Sequence, residues 1–494
     1  MNDLGPPSLH ALDALRLPPA LPGAERTLAE QLAAWLALRI DEHALKTGTR
    51  LPSIRRLADE RGVSRSTVVE AYDRLIAAGY AESRRGSGFF VRARRGAAPA
   101  RATRSAASTR AGRDAGSAPP AAIDVLWLLR SMLRQSPADA GQAAQPGAGL
   151  LPAEWLDHEV LSAGVRAVGR VAGRALLGYG TPEGYLPLRQ QIVERLAQAD
   201  IAAAPEQVIT TNGVTQAIDL VARHFIAPGD TVFVEDPAWF LMFGRFAAFG
   251  ARVVGVPRRA DGPDLAVLAN LLTRHQPKLF VVGSVLHNPT SGSLSAANAH
   301  GLLKLAEEYR FTLVEDDVYG DLARGRALRL ASLDQLQRVI YLSGFSKTLS
   351  ANLRVGYIAA EPSVAQRLAD LKMLTGLTTP ELTERVVTRV LAEGQYRRHL
   401  DRVRGRLDAA RDRTARALEK MGARLVLQPE AGIFLWADFG RDTNAIAAEG
   451  SARGVLCAPG SLFSPTQLPS TLMRVSAATC LNPAALRFLA DSLR

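Results

Sequence analysis

Cysteine is scarce: Cys457 and Cys480 are the only two in a chain of 494 residues. They form no Cys-x-x-Cys pair and no Cys/His spacing, which argues against a disulfide framework and a zinc site, and no other metal site is expected. Long apolar runs are missing as well. Runs such as Val125–Leu129 fall far short of the roughly 20 residues a membrane span needs. No basic region followed by an apolar stretch opens the chain, so no secretory signal is expected and a reducing cytoplasm fits. Aromatic residues make up only 6%, yet hydrophobic residues reach 47% and charged residues 22%, a balance that excludes a wholly disordered or collagen-like chain. The length exceeds what one core serves and predicts two or three domains.

Positive charge is in excess, with a net charge of +12, and it is uneven. Residues 1–122 hold 19 Lys and Arg against 12 Asp and Glu, so a quarter of the chain carries more than half the surplus. That fits either a nucleic-acid partner or a solvated basic tail. Residues 24–92 are patterned as a small globular module. Arg92–Ala122 holds seven Arg, one Asp and no aromatic residue, too little apolar surface to offset its ordering entropy. It predicts a flexible connector spanning about 30 Å root-mean-square as a coil. With a short apolar stretch and a second Ala/Gly/Gln/Pro-rich run, the connector is expected to occupy residues 93–149. From 150 to 494, runs such as Val208–Thr211, Thr231–Val234, Val253–Val256, Leu279–Val282, Thr312–Val314 and Val339–Leu342 alternate with helical stretches. This predicts an α/β domain, a mostly parallel sheet with helices on both faces.

In the N-terminal module, Leu28, Leu32, Trp35, Leu36 and Ile40 recur at helical spacing. Pro52 and Ser53 open a second helix that Gly62 ends, and Ser64 caps a third with Val68, Ala71, Tyr72, Leu75 and Ile76 along one face. Tyr80–Arg84 and Gly88–Arg92 then flank an Arg85-Gly86-Ser87 tip, the pattern of a hairpin. Two helices and a basic-tipped hairpin describe a winged helix-turn-helix, although a structural three-helix unit with a charged face shares the spacing. The wording LPSIRRLADERGVSRSTVVEAYDRLIAAGY…RRGSGFFV resembles the DNA-binding domain of GntR-type bacterial regulators. The resemblance implies double-stranded DNA as partner and Arg55, Arg65, Ser66, Thr67, Arg85 and Gly86 as contacts.

The larger zone carries an ordered set of signals. Thr211-Asn212-Gly213-Val214-Thr215 follows a strand and opens a helix, where exposed N–H groups favour a phosphate or merely make a turn. Asp236-Pro237-Ala238-Trp239 sets an aromatic ring at a strand end, suited to a ligand contact or to packing. His287-Asn288-Pro289-Thr290 follows another strand. Glu315-Asp316-Asp317-Val318-Tyr319 clusters acids at a strand end, where packing alone seldom places them. Ser343-Gly344-Phe345-Ser346-Lys347-Thr348 precedes Arg354.

That order resembles the fold-type I pyridoxal-5′-phosphate enzymes, the aspartate aminotransferase superfamily, with its smaller C-terminal α+β subdomain. The resemblance implies pyridoxal 5′-phosphate as cofactor, held on Lys347 as a Schiff base. Asp316 would pair with the pyridinium nitrogen, Asn288 and Tyr319 would hydrogen-bond the ring O3′, and Trp239 would stack on the ring. Val214, Thr215, Ser346 and Arg354 would hold the phosphate, with Tyr179 reaching in from a second subunit of a homodimer. Arg474 would clamp the carboxylate of a substrate or effector. Two departures stand out: Gly344 replaces a usual Ser or Thr, shifting a phosphate contact toward Ser343 or losing it, and Ala431 replaces the first Gly of a usual pair.

Both halves together resemble the MocR subfamily of GntR-type regulators. That implies a transcription regulator sensing the vitamin B6 cofactor or an amino-acid-like effector, dimerised through the large domain so that two winged helices meet two half-sites. The alternative is a working aminotransferase with a DNA-binding appendage.

Overall fold

In the computed structural model, the described residues are 27–41, 48–84, 88–92, 144–171, 173, 177–392 and 394–494. The chain divides into two units, the smaller N-terminal and the larger C-terminal. Arg85, Gly86 and residues 93–143 of the expected connector lie outside the described residues.

The smaller unit builds α1 (Leu28–Asp41), α2 (Ile54–Arg61) and α3 (Arg65–Ala77), then β1 (Ala81–Arg84) and β2 (Gly88–Val91). Ser53 and Ser64 cap α2 and α3 by accepting from the Arg56 and Thr67 amides, and Gly62 ends α2 in the left-handed region at φ 64°. Leu32, Leu36, Leu57, Val68, Tyr72 and Leu75 form its core. Tyr72 also donates to the Pro52 carbonyl at 2.7 Å, tying α3 to the loop before α2. Leu28, expected on the buried stripe, is 60% exposed and Ala29 is buried in its stead. The apolar face begins one residue later, because helix geometry turns Ala29, Leu32, Leu36 and Ile40 to one side.

The larger unit is built on an eight-stranded sheet. Its strands are β3 (Val208–Thr211), β4 (Thr231–Asp236), β5 (Arg252–Arg259), β6 (Gly262–Pro263), β7 (Pro277–Val282), β8 (Thr312–Asp316), β9 (Val339–Gly344) and β10 (Gly356–Ala359), in the order β3-β10-β9-β8-β7-β4-β5-β6. Neighbours from β9 to β5 run parallel, whereas β10 is antiparallel to both β9 and β3. Apolar side chains pack on both faces: Phe233, Phe280 and Leu313 on one, Val232, Val281 and Leu342 on the other. Helices cover both, as near-continuous apolar strands require.

A second sheet, β11 (Arg424–Leu425), β12 (Phe434–Asp438), β13 (Ala458–Pro459) and β14 (Leu472–Ser476), is antiparallel throughout in the order β11-β12-β14-β13. With the helices Thr443–Ala452 and Pro483–Ser492 it forms the smaller subdomain. Residues 144–149, counted by composition in the connector, are built into this subdomain. Ala144 pairs with Val455 in parallel, and the Gly147 amide donates to the Leu456 carbonyl at 2.8 Å. Small residues are needed there because a Cβ on Gly147 would lie 2.6 Å from the Ala458 nitrogen. Among the described residues, no helix is long and apolar enough to cross a membrane.

Candidate cofactor site and DNA-facing helix

The parallel strands end on one side of the sheet, and their loops gather the candidate residues there. The helix α4 (Val214–Phe225) starts just after β3, with Gly213 before it at φ 76° and no side-chain cap on its first amides. Arg354, itself left-handed at φ 52°, crosses this turn and donates from Nη2 to the Asn212 carbonyl at 2.8 Å. A Cβ on Gly213 would sit 2.6 Å from that guanidinium, so glycine is required for the approach. Val214, Thr215, Trp239, Asn288, Asp316, Tyr319, Ser346, Lys347 and Arg354 line one pocket around this helix end. Free amides, a helix dipole and an arginine make the end a phosphate cradle.

Lys347 follows β9, and its Nζ donates to the Gly149 carbonyl at 3.1 Å. Burial pushes its amine down to about 8, helped by Arg474 and Arg354 and opposed by Asp316. Asp316, at the end of β8, is pushed by burial up to about 7 against the pull of the Val318 amide and Lys347. Its Oδ1 is buried without a hydrogen-bond partner. The other two acids of the cluster are committed to packing. Glu315 accepts from the Leu330 and Ala331 amides at 2.8 Å each. Asp317 pairs with Arg329 at 2.6 Å and with the Tyr341 hydroxyl at 2.5 Å. Asp317 Oδ1 is also without a partner among the described residues, but of the three acids it is Asp316 that lines the pocket, so Asp316 is the acid left for a ligand.

Asn288 and Tyr319 are buried beside the pocket, Tyr319 edge-on to Phe434 with ring centres 5.4 Å apart. Trp239 is half-buried after the cis Asp236–Pro237 bond. On β14, the buried Arg474 donates to Asn288 Oδ1 at 2.8 Å and to the Gly147 carbonyl at 2.7 Å, and stacks on Phe434 and Phe463. Burial lowers it to about 10. Tyr179 is not in this pocket but 82% exposed.

Gly344 fits by necessity: a Cβ there would meet Gly356 Cα at 2.9 Å, and one on Gly356 would meet Gly213 Cα at 2.8 Å. Three glycines thus let β9, β10 and the cradle close up. The Ser343 hydroxyl, considered as a replacement phosphate contact, donates instead to the Asp317 carbonyl at 2.9 Å. Ala431 is buried and packs with Ile433 and Phe434.

Composition gave no sign of the Gly147 and Gly149 carbonyls, which touch Arg474 and Lys347. Nor did it reveal the buried Glu235, which pairs with Arg258 and accepts from the Gly283 amide at 2.8 Å behind Asp316. A separate cleft of about 610 Å³, lined by Arg195, Asp321 and Tyr396 among others, holds groups largely paired with each other. Among the described residues no His, Cys, Asp and Glu cluster could hold a metal.

In the smaller unit, Arg55, Arg65 and Ser66 are exposed and Thr67 is half-buried. The Ser66 and Thr67 hydroxyls each lie 2.7 Å from the Ser64 hydroxyl, forming one cluster at the start of α3. Arg56, next to Arg55, is instead bridged to Glu60 at 2.6 Å.

Comparison with known proteins matches residues 148–493 to the family Aminotransferase class I and II and residues 28–91 to Bacterial regulatory proteins, gntR family. A 2-aminoadipate transaminase of Thermus thermophilus is 34% identical over 347 residues, 67% of this chain and 85% of the relative. A probable rhizopine catabolism regulatory protein MocR of Rhizobium meliloti is 31% identical over 411 residues, 80% of this chain and 78% of the relative. Among solved structures, α-aminoadipate aminotransferase LysN of Thermus thermophilus, complexed with N-(5′-phosphopyridoxyl)-L-leucine, superposes with a TM-score of 0.68 at 28% identity, covering 74% of this chain and 94% of that one. With a winged helix-turn-helix and a class I and II aminotransferase domain in one polypeptide, the chain belongs to the MocR-type family of GntR regulators.

Proposed function

We propose that this protein is a DNA-binding transcription regulator whose larger unit binds pyridoxal 5′-phosphate on Lys347 and responds to an amino-acid-like effector or to the vitamin itself. The observation that carries this reading is that one pocket is lined both by Lys347, held near 8, and by Asp316, whose buried Oδ1 has no partner among the described residues. A buried carboxylate without a partner is costly, and a pyridinium nitrogen supplies the missing donor. When bound, the cofactor supplies an electron-withdrawing ring and an aldehyde.

The residues have separable tasks. Asp316 accepts from the ring nitrogen and holds its proton there. The amides at the start of α4, with Ser346 and Arg354, bind the phosphate. Asn288, its Oδ1 occupied by Arg474, would offer its amide nitrogen to the ring hydroxyl, which Tyr319 would also hydrogen-bond. Trp239, in the pocket wall, would cover one face of the ring and exclude water. Arg474 orients an effector carboxylate. Tyr179, exposed in one chain, fits a role in a second subunit's site, and a homodimer would set two winged helices on two half-sites. Arg55, Arg65, Ser66 and Thr67, with the wing residues Arg85 and Gly86, contact DNA, the Ser66 and Thr67 hydroxyls being gathered by Ser64 at the start of α3.

A second reading, a working aminotransferase, draws support from the lowered Lys347 amine, which can accept and return a proton near neutral pH. One experiment separates them. Holo-protein is incubated with a panel of amino acids while keto-acid release and operator binding are followed together. The regulator reading expects a single spectral change coupled to altered operator affinity. Sustained keto-acid turnover with operator affinity unmoved would replace it with the enzyme.

A further inference from the structure

Among the described residues, the buried cation Arg474 is serviced by neutral acceptors alone. Its Nη1 bonds Asn288, its Nη2 bonds the Gly147 carbonyl, and its Nε is buried with no partner. A carboxylate adds a full opposite charge and can accept two parallel bonds from a guanidinium, neither of which a peptide carbonyl offers. The Gly147 carbonyl therefore stands where a stronger acceptor would displace it.

The segment carrying that carbonyl is fastened at both ends. On the subdomain side, the Leu456 amide donates to the Ala144 carbonyl at 2.9 Å, the Ser476 amide to the Pro146 carbonyl at 2.6 Å, and the Thr479 hydroxyl to the Gln145 carbonyl at 2.6 Å. On the main-sheet side, Lys347 Nζ holds the Gly149 carbonyl at 3.1 Å. The same five residues thus bridge the two subdomains and occupy two cations of the site, Arg474 and Lys347. Gly149 crowds Arg474 as well, with a Cβ position 3.5 Å from Nη2.

We propose that Gln145–Gly149 is an internal ligand of the site, a latch that an effector carboxylate displaces from Arg474. This deepens the regulator reading above and rests on it. The effector class follows: a molecule with an amine for the cofactor and a carboxylate placed to reach Arg474, which an amine alone would not replace. Residue 144 continues along the chain toward the DNA-binding unit, so releasing the latch alters where that connection is anchored. Occupancy of the site is thereby written into the chain that leads to the operator.

The test uses full-length protein and amide hydrogen exchange at Gly147, Leu456 and Ser476. Two probes are compared, N-(5′-phosphopyridoxyl)-L-leucine and the matching adduct of 3-methylbutylamine, which lacks only the carboxylate. The carboxylated probe should speed exchange at these amides by roughly tenfold, and the other should leave them protected. Equal exchange with both bound probes overturns the latch. Arg474→Gln, without any cofactor, should produce the same rise while Val281 and Leu313 in the main sheet stay protected. Unchanged protection in that variant overturns the latch irrespective of cofactor. Failure of both probes to bind would count against the cofactor reading alone, because the variant judges the latch separately.

Discussion

Arg474 fixes the orientation of Asn288: the guanidinium Nη1 lies 2.8 Å from Oδ1, leaving the amide nitrogen as the donor aimed at the pocket. Under the proposed function, Arg474 would thus serve the effector's carboxylate directly and the cofactor's ring hydroxyl through Asn288. Asn288→Asp would remove the donor and give Arg474 a permanent anionic partner. Expected are cofactor affinity lowered by about tenfold to a hundredfold and loss of discrimination for carboxylated effectors, both measurable by fluorescence titration. Wild-type affinity would show that Asn288 does not face the ring.

Attachment of the cofactor should depend on pH through Lys347. Burial lowers the folded amine to about 8, below its ordinary value, so the folded protein binds fewer protons than the unfolded chain as pH falls from the lysine range toward 8. The neutral amine is the nucleophile. Stopped-flow attachment rates should rise with pH up to about 8 and then level off. A rise continuing through pH 10, the range of an ordinary lysine, would contradict burial as the cause.

Asp316 exchanges stability for binding. Its folded carboxyl is raised to about 7, so the stability of the cofactor-free protein falls as pH climbs from the unfolded carboxylate range toward 7 and stays lowered above it. Asp316→Asn should therefore stabilise the cofactor-free protein at pH 8 by about 1–3 kcal/mol, with no difference near pH 4. The same variant should bind the cofactor poorly. Chemical denaturation at the two pH values checks the sign, and a destabilised variant at pH 8 would refute it.

Gly344 is a packing requirement. Gly344→Ser, which restores the residue type expected at that place, would push Cβ to 2.9 Å from Gly356 Cα, a backbone atom that cannot step aside cheaply. A loss of about 1–3 kcal/mol in denaturant unfolding is expected, with no gain in cofactor affinity. Tighter phosphate binding would mean the strands separate more readily than their glycines indicate.

On the DNA side, Arg65→Ala should weaken operator binding by about 1–3 kcal/mol if the side chain reads a base. Arg56→Ala should cost little, because that guanidinium is already bridged to Glu60 at 2.6 Å. Gel-shift titrations of the two variants side by side give the contrast. Equal losses would mean the helix enters DNA at a different angle.

Much of this was legible in the sequence because the information is local. The apolar runs of β4, β7, β8 and β9 announce themselves, and Ser53, Ser64 and Gly62 punctuate the small unit. β10 (Gly356–Ala359) escaped because a four-residue strand opening on glycine has no periodicity to read. The acidic cluster could be seen but not apportioned: only the fold reveals that Arg329 claims Asp317 and two amides claim Glu315. Residues 144–149 read as connector because Ala, Gly and Pro carry no side-chain signal, and their role lies in main-chain carbonyls. Tyr179 was named by resemblance alone, and in one chain it meets no part of the pocket.

The most direct measurement is borohydride reduction of the full-length protein after incubation with pyridoxal 5′-phosphate, followed by peptide mapping. One phosphopyridoxyl group per chain is expected, on Lys347, and none in Lys347→Ala. Label on another lysine, or stoichiometric label surviving in that variant, would contradict cofactor attachment at Lys347.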